Sequence, residues 1–189
     1  MKLILIDNLD SFTFNLVESL ERLGVAVAVR RNSIAAEAAL GEAQAMGAML
    51  MLSPGPGAPA QAGCCLELVA RARAARQPLI GVCLGHQAIA EEAGGTVGRT
   101  PEPVHGKADW VSHDGAGPFT GLPTPLRLAR YHSLGVAGLP ERFTVHAASA
   151  DGVPMAFTDP VARQAAVQFH PESILTTHGD AILRNLLNM

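Results

Sequence analysis

A chain of 189 residues is long enough for one domain with a substantial core. Charged residues make up 16% of it, against about 25% in an average soluble domain, and the net charge is −3. No basic excess marks a nucleic-acid ligand and no apolar run reaches membrane-spanning length. The low charge fits a surface partly covered by a partner, or simply an Ala-rich composition.

Four apolar residues stand between Lys2 and Asp7, too few for a signal-peptide core, and no targeting segment is expected. Cys64, Cys65 and Cys83 form no regular even-numbered framework, so a reducing cytoplasm is the expected setting and at least one thiol stays free.

Residues 3–6 predict a strand buried on both faces. Asp10 or Ser11 then caps a helix with Phe12, Leu16, Val17, Leu20 and Leu23 on one face, closed by Gly24. A strand follows at 25–29, a weak Ala-rich helix at 34–44, a strand at 48–52, a helix at 64–75 and a strand at 79–82. This alternation implies βαβ units, hence an α/β fold with a doubly wound, mostly parallel sheet and helices on both faces. Beyond Gly94-Gly95 the chain turns Gly- and Pro-rich. Short strands are expected at 107–112, 125–130, 143–148, 153–158 and 165–169, some antiparallel at the sheet edge or in an accessory layer. Ile182, Leu183, Leu186 and Leu187 mark a closing helix. No repeat or linker divides 1–189, which reads as a single domain.

Gly81-Val82-Cys83-Leu84-Gly85 follows a buried strand and opens a helix, the Gly-x-nucleophile-x-Gly corner with Cys in the central place. Glycines on either side let strand and helix pack closely, and the positive end of a helix dipole favours a thiolate. The backbone N–H of Leu84 would be placed to receive an oxyanion. A buried core cysteine is the competing interpretation.

A nucleophilic thiol needs a base and something to orient it. His170-Pro171-Glu172 offers an imidazole at a strand end with a carboxylate two residues on, the proline holding the backbone so that both can face one side. Without Cys83 the pair would read as an ordinary surface His beside a Glu. Ser53-Pro54-Gly55-Pro56-Gly57 also stands at a strand's C-terminal end, where open α/β sheets bind ligands. Its Gly55-x-Gly57-x-x-Ala60 spacing matches a dinucleotide fingerprint, but no helix starts at once, and the next strand ends in Cys83 where an acidic ribose ligand is needed. Cys83 and His86 lack a second ligand pair at zinc-site spacing, so no metal is expected, and His86 reads as structural. Nothing about Cys64-Cys65 argues for chemistry.

Val82-Cys83-Leu84-Gly85-His86-Gln87, the Ser53–Gly57 loop and Gln168-Phe169-His170-Pro171-Glu172 together resemble the class I (triad-type) glutamine amidotransferases along essentially the whole chain. Asp7 to Phe12, His105-Gly106-Lys107, Arg130 to Leu134 and Glu172 to Leu175 are similar to the small subunits of anthranilate synthases and of the related aminodeoxychorismate synthases. Gly57 and Thr176-Thr177 look more like the anthranilate branch. One subunit serving both is the further alternative.

The resemblance implies a glutaminase. Cys83 attacks the amide of L-glutamine, His170 moves the proton, Glu172 orients His170, and the backbone N–H groups of Leu84 and Gly57 form an oxyanion hole. It also implies that Gly55, Pro56, Gly57, Gln87, Ser133 and Leu134 hold the substrate. Ammonia would pass to a separate chorismate-using synthase subunit. No cofactor is expected in this chain, the partner being the one to use Mg2+. Two other readings are a catalytically silent regulatory subunit, which intact Cys83, His170 and Glu172 oppose, and a stand-alone thiol hydrolase acting on other amides.

Overall fold

The computed structural model describes residues 1–100 and 106–189. Its main sheet takes β1 (Lys2–Asp7), β2 (Ala26–Arg31), β3 (Met49–Leu52), β4 (Leu79–Val82), β7 (Thr144–Ala148), β8 (Pro154–Asp159) and β9 (Gln164–Val167), in the order β2-β1-β3-β4-β9-β8-β7. From β2 to β9 neighbouring strands run parallel, and β8 and β7 add an antiparallel edge. α1 (Thr13–Arg22) and α5 (Gly179–Leu187) cover one face, and α2 (Ala36–Met46), α3 (Cys65–Ala75) and α4 (Leu84–Glu92) the other. β1 shows why the expected apolar run is continuous. Leu3 and Leu5 join Leu16, Leu20, Ile182 and Leu186, while Ile4 and Ile6 join Ala39, Ala43, Leu68 and Ile89.

α1 starts at Thr13, with Phe12 rather than Asp10 or Ser11 at its cap position. The Asp10 carboxylate accepts the Phe12 N–H at 2.8 Å and its carbonyl accepts the Thr13 N–H at 3.2 Å. This turn keeps Phe12 outside the helix and off the core face expected for it. Of the short strands expected beyond Gly95, those at 143–148 and 153–158 stand as β7 and β8, whereas those at 107–112 and 125–130 belong to longer strands. β5 (Thr96–Val111) and β6 (Leu126–Ala137) are long and pair antiparallel in a sheet of their own. Gly106, at φ +72°, lies at a register shift in β5, so a residue that reads as a breaker acts here as a bulge.

The expected strand at 165–169 stops at Val167. Gln168 N–H still reaches Met155 O at 2.9 Å, but His170 N–H turns away to Ala129 O in β6 at 3.0 Å. That departure carries the chain from the main sheet to the accessory one, and His170 sits where they meet.

Candidate active site

Cys83 lies between β4 and α4 with φ +52° and ψ −101°, a conformation that L-residues avoid and that costs about 1–3 kcal/mol. Its N–H is held by Val167 O at 2.9 Å. The corner closes only because of its glycines. A Cβ on Gly81 would stand 2.5 Å from the Gly85 carbonyl, and one on Gly85 would stand 2.5 Å from Leu52 O. The sulfur is placed at the N-terminus of α4, where the helix dipole is positive.

His170 Nδ1 lies 2.7 Å from Glu172 Oε1, with both side chains enclosed. The backbone of His170 is gripped on both sides. Thr176 Oγ1 donates to its carbonyl at 2.6 Å and in turn accepts the Ala129 N–H at 3.0 Å. The rings of Phe12 and Tyr131 meet its imidazole edge-on, with centroids 5.4 and 5.0 Å away. Nε2 makes no hydrogen bond among the described residues. Burial works against the imidazolium, but Cys83 and Glu172 outweigh it and raise the His170 pKa to about 10.

A pocket of about 220 Å³ opens beside the sulfur, lined by Cys83, Gln87, Gly55 to Gly57 and Tyr131 to Leu134. The Ser53 loop is tied down from β1. Asn8 N–H donates to Ser53 Oγ and Asn8 Nδ2 to Ser53 O, both at 2.9 Å, and a Cβ on Gly55 would meet Asn8 Cβ at 2.5 Å. Cys65 Sγ, 3.1 Å from Asn8 Oδ1, supports the same asparagine. On the other wall, His132 is held neutral. Burial, together with the Arg130 guanidinium donating to Nε2 at 3.1 Å, brings its pKa down to about 4.

The sequence pattern of class-I glutamine amidotransferases matches residues 4–189. The chain belongs to this family. Anthranilate synthase component 2, pyocyanine specific, from Pseudomonas aeruginosa is 52% identical over 99% of the chain and 93% of that relative. Anthranilate synthase component 2 from Azospirillum brasilense is 50% identical over 98% of the chain and 95% of that relative. Among solved structures, a protein named for a GMP synthase subunit, from Thermoplasma acidophilum, superposes with a TM-score of 0.85 at 28% identity, covering 100% of this chain and 92% of that one. A glutamine amidotransferase from Thermotoga maritima shares the fold, with a TM-score of 0.79 at 16% identity over 100% and 96% of the two chains.

In this amidotransferase the structure brings the residues singled out in the sequence to one place. Gly55, Pro56, Gly57, Gln87, Ser133 and Leu134 line the pocket that Cys83 opens on, and Tyr131 of the same lining packs on His170, which Glu172 holds. Leu84 is the first residue of α4, so its N–H has no partner within that helix. Gly57, at φ +76°, lines the same pocket. His105, part of the resemblance, lies outside the described residues. Residues that the sequence reading left without a role are also here. Phe12 and Tyr131 pack on His170, His132 lines the pocket, and Gln168 Nε2 points at the Cys83 sulfur from 3.6 Å. All four stand inside the motifs that carry the resemblance. His86 is wholly buried with its ring against Phe157, 4.5 Å between centroids, away from the pocket lining.

Proposed function

We propose that this chain is the glutaminase component of an anthranilate synthase, hydrolysing L-glutamine and handing ammonia to a separate chorismate-using subunit for tryptophan biosynthesis. The observation that carries the reading is the strained Cys83 corner backed by the enclosed His170–Glu172 pair and facing an amino-acid-sized pocket. The identity of the relatives, 50–52% along nearly the whole chain, favours the anthranilate branch over aminodeoxychorismate.

The chemistry follows from the groups present. The Cys83 thiolate attacks the δ-carbon of glutamine, and the N–H groups of Leu84 and Gly57 receive the oxyanion. The His170 imidazolium gives its proton to the departing nitrogen, so that ammonia leaves and a glutamyl thioester remains. Water then attacks the thioester as His170 takes its proton, and glutamate and the thiolate are released. Glu172 holds the imidazole by Nδ1 throughout. These steps need no cofactor in this chain, and the Mg2+ of chorismate chemistry is assigned to the partner. Ammonia released to neutral water would be protonated and lose its nucleophilicity, which is the physical reason for a tightly docked acceptor. A free thiol nucleophile also suits a reducing cytoplasm. Among the described residues, no helix is long and apolar enough to cross a membrane.

The test is anthranilate formation from chorismate by the chain reconstituted with its synthase subunit, fed glutamine or an ammonium salt. Both nitrogen sources are expected to work, and Cys83→Ser should abolish only the glutamine-driven reaction. Activity with ammonium alone would make this a silent subunit. Glutamine-driven aminodeoxychorismate would move it to the other branch.

A further inference from the structure

Gln168 is wholly buried at the point where β9 ends, a place where a polar side chain is costly unless every group it carries is used. Its amide is the middle of a hydrogen-bonded line. Gln87 Nε2 donates to Leu134 O at 2.9 Å and to Gln168 Oε1 at 3.0 Å, and Gln168 Nε2 donates to Cys83 Sγ at 3.6 Å.

The direction of the line is set from one end. A backbone carbonyl only accepts, so Gln87 must turn its nitrogen to Leu134. The second proton of that nitrogen needs an acceptor, so Gln168 must turn Oε1 to Gln87, which leaves Nε2 for the sulfur. The Leu134 carbonyl is itself positioned. Arg130 Nε donates to His132 Nε2, which puts the His132 proton on Nδ1, 2.9 Å from Leu134 O. With both protons of its nitrogen committed, Gln87 has only Oε1 left to offer the pocket it lines, an acceptor suited to the α-ammonium of an amino-acid substrate.

We infer that Gln168 is a further catalytic residue of the glutaminase: one face of its amide donates to the Cys83 sulfur, and the other locks Gln87 as a hydrogen-bond acceptor for the substrate's ammonium. This rests on Cys83 being the nucleophile. Sulfur carries negative charge before attack and again when the thioester breaks, and a donor fixed beside it favours both moments. A single side chain thus joins the reacting atom to the substrate's recognised end.

Two variants separate the roles. Gln168→Glu keeps an acceptor toward Gln87 but sets a carboxylate oxygen against the sulfur. Gln168→Met removes both hydrogen bonds at similar volume. Alkylation of Cys83 by iodoacetamide, followed by peptide mass spectrometry on the full chain below each variant's unfolding midpoint, is expected to slow about 10-fold in both. In the complex with the synthase, kcat should fall by a similar factor in both. KM for glutamine should rise about 10-fold only in Gln168→Met, staying within about 2-fold of wild type in Gln168→Glu. Wild-type alkylation rates in either variant, or equal KM changes in the two, would overturn the inference. A wild-type complex inactive with glutamine would instead overturn the functional reading, and the alkylation rates would still decide whether Gln168 acts on the sulfur.

Discussion

Phe12 meets the ring of His170 edge-on, with the planes at 66°, and Tyr131 meets it at 70°. Phe12 and Tyr131 also touch each other, 4.9 Å between centroids. Glu172 fixes one nitrogen of the imidazole, but a single hydrogen bond leaves the ring free to swing about it. The two aromatic rings remove that freedom and help enclose the His170–Glu172 pair.

Phe12→Ala is therefore expected to lower kcat of the glutamine-driven reaction by about 3- to 10-fold, the value of one aromatic contact. KM should change little, because Phe12 does not line the pocket. Steady-state kinetics of the complex will read this. A larger change in KM than in kcat would place Phe12 in substrate binding instead.

His170→Ala should cost more than Glu172→Ala, since losing proton transfer matters more than losing its orientation. The pH profile adds a second reading. The folded-state pKa of His170 is raised from 6.5 to about 10, so the stability that its partners add is full below about 6.5 and is lost as the pH rises through about 10. Removing the Glu172 carboxylate removes one of the two supports, and the alkaline limb of glutaminase activity in Glu172→Ala should move to lower pH. An unmoved limb would assign the raised pKa to Cys83 alone.

Gly85→Ala is expected to destabilise the chain by about 1–3 kcal/mol and to impair turnover, because its methyl would press on the Leu52 carbonyl and neither backbone can yield. Gly41, inside α2 with open space where a Cβ would stand, is the control. Gly41→Ala should stabilise by up to about 1 kcal/mol and leave activity intact. Urea unfolding of both variants checks the pair.

His86 supplies an acid limb to stability. Burial, helped by the nearby His132, lowers its pKa from 6.5 to about 3, and neither ring nitrogen has a partner among the described residues. As the pH falls below about 6.5 the unfolded chain takes up the proton first, so stability declines by about 1.4 kcal/mol per unit until the folded form also protonates near 3. His86→Leu should equal or exceed wild type at pH near 7, having no buried polar atoms to leave unpaired, and should lose less between about pH 6 and 4. Equal slopes in urea titrations across that range would refute the assignment.

The parallel half of the fold was legible because β1, β3 and β4 are buried on both faces and α1, α2 and α3 on one. Residues 79–82 were bounded correctly, and α3 within one residue at its start. The strands of the accessory sheet were not, since β5 and β6 use glycine as a bulge and close contact rather than a stop. Gly135 sits where a Cβ would meet Thr100 and Val153 at 2.8 Å, a long-range packing demand that no local pattern carries.

For the site, what the sequence carried was a candidate chemistry: a thiol on a glycine-flanked strand–helix corner, an imidazole with a carboxylate two residues on, and a stiff Gly-Pro loop. These are short-range facts, encoded in neighbouring residues. Tertiary structure alone decided what surrounds them. Phe12 reached His170 because a turn at Asp10 took it out of α1, and Gln168 reached Cys83 because β9 lies beside β4 and ends one residue before it. Such contacts join residues far apart in the chain, and only the order of strands in the folded sheet brings them within hydrogen-bond and ring-contact range.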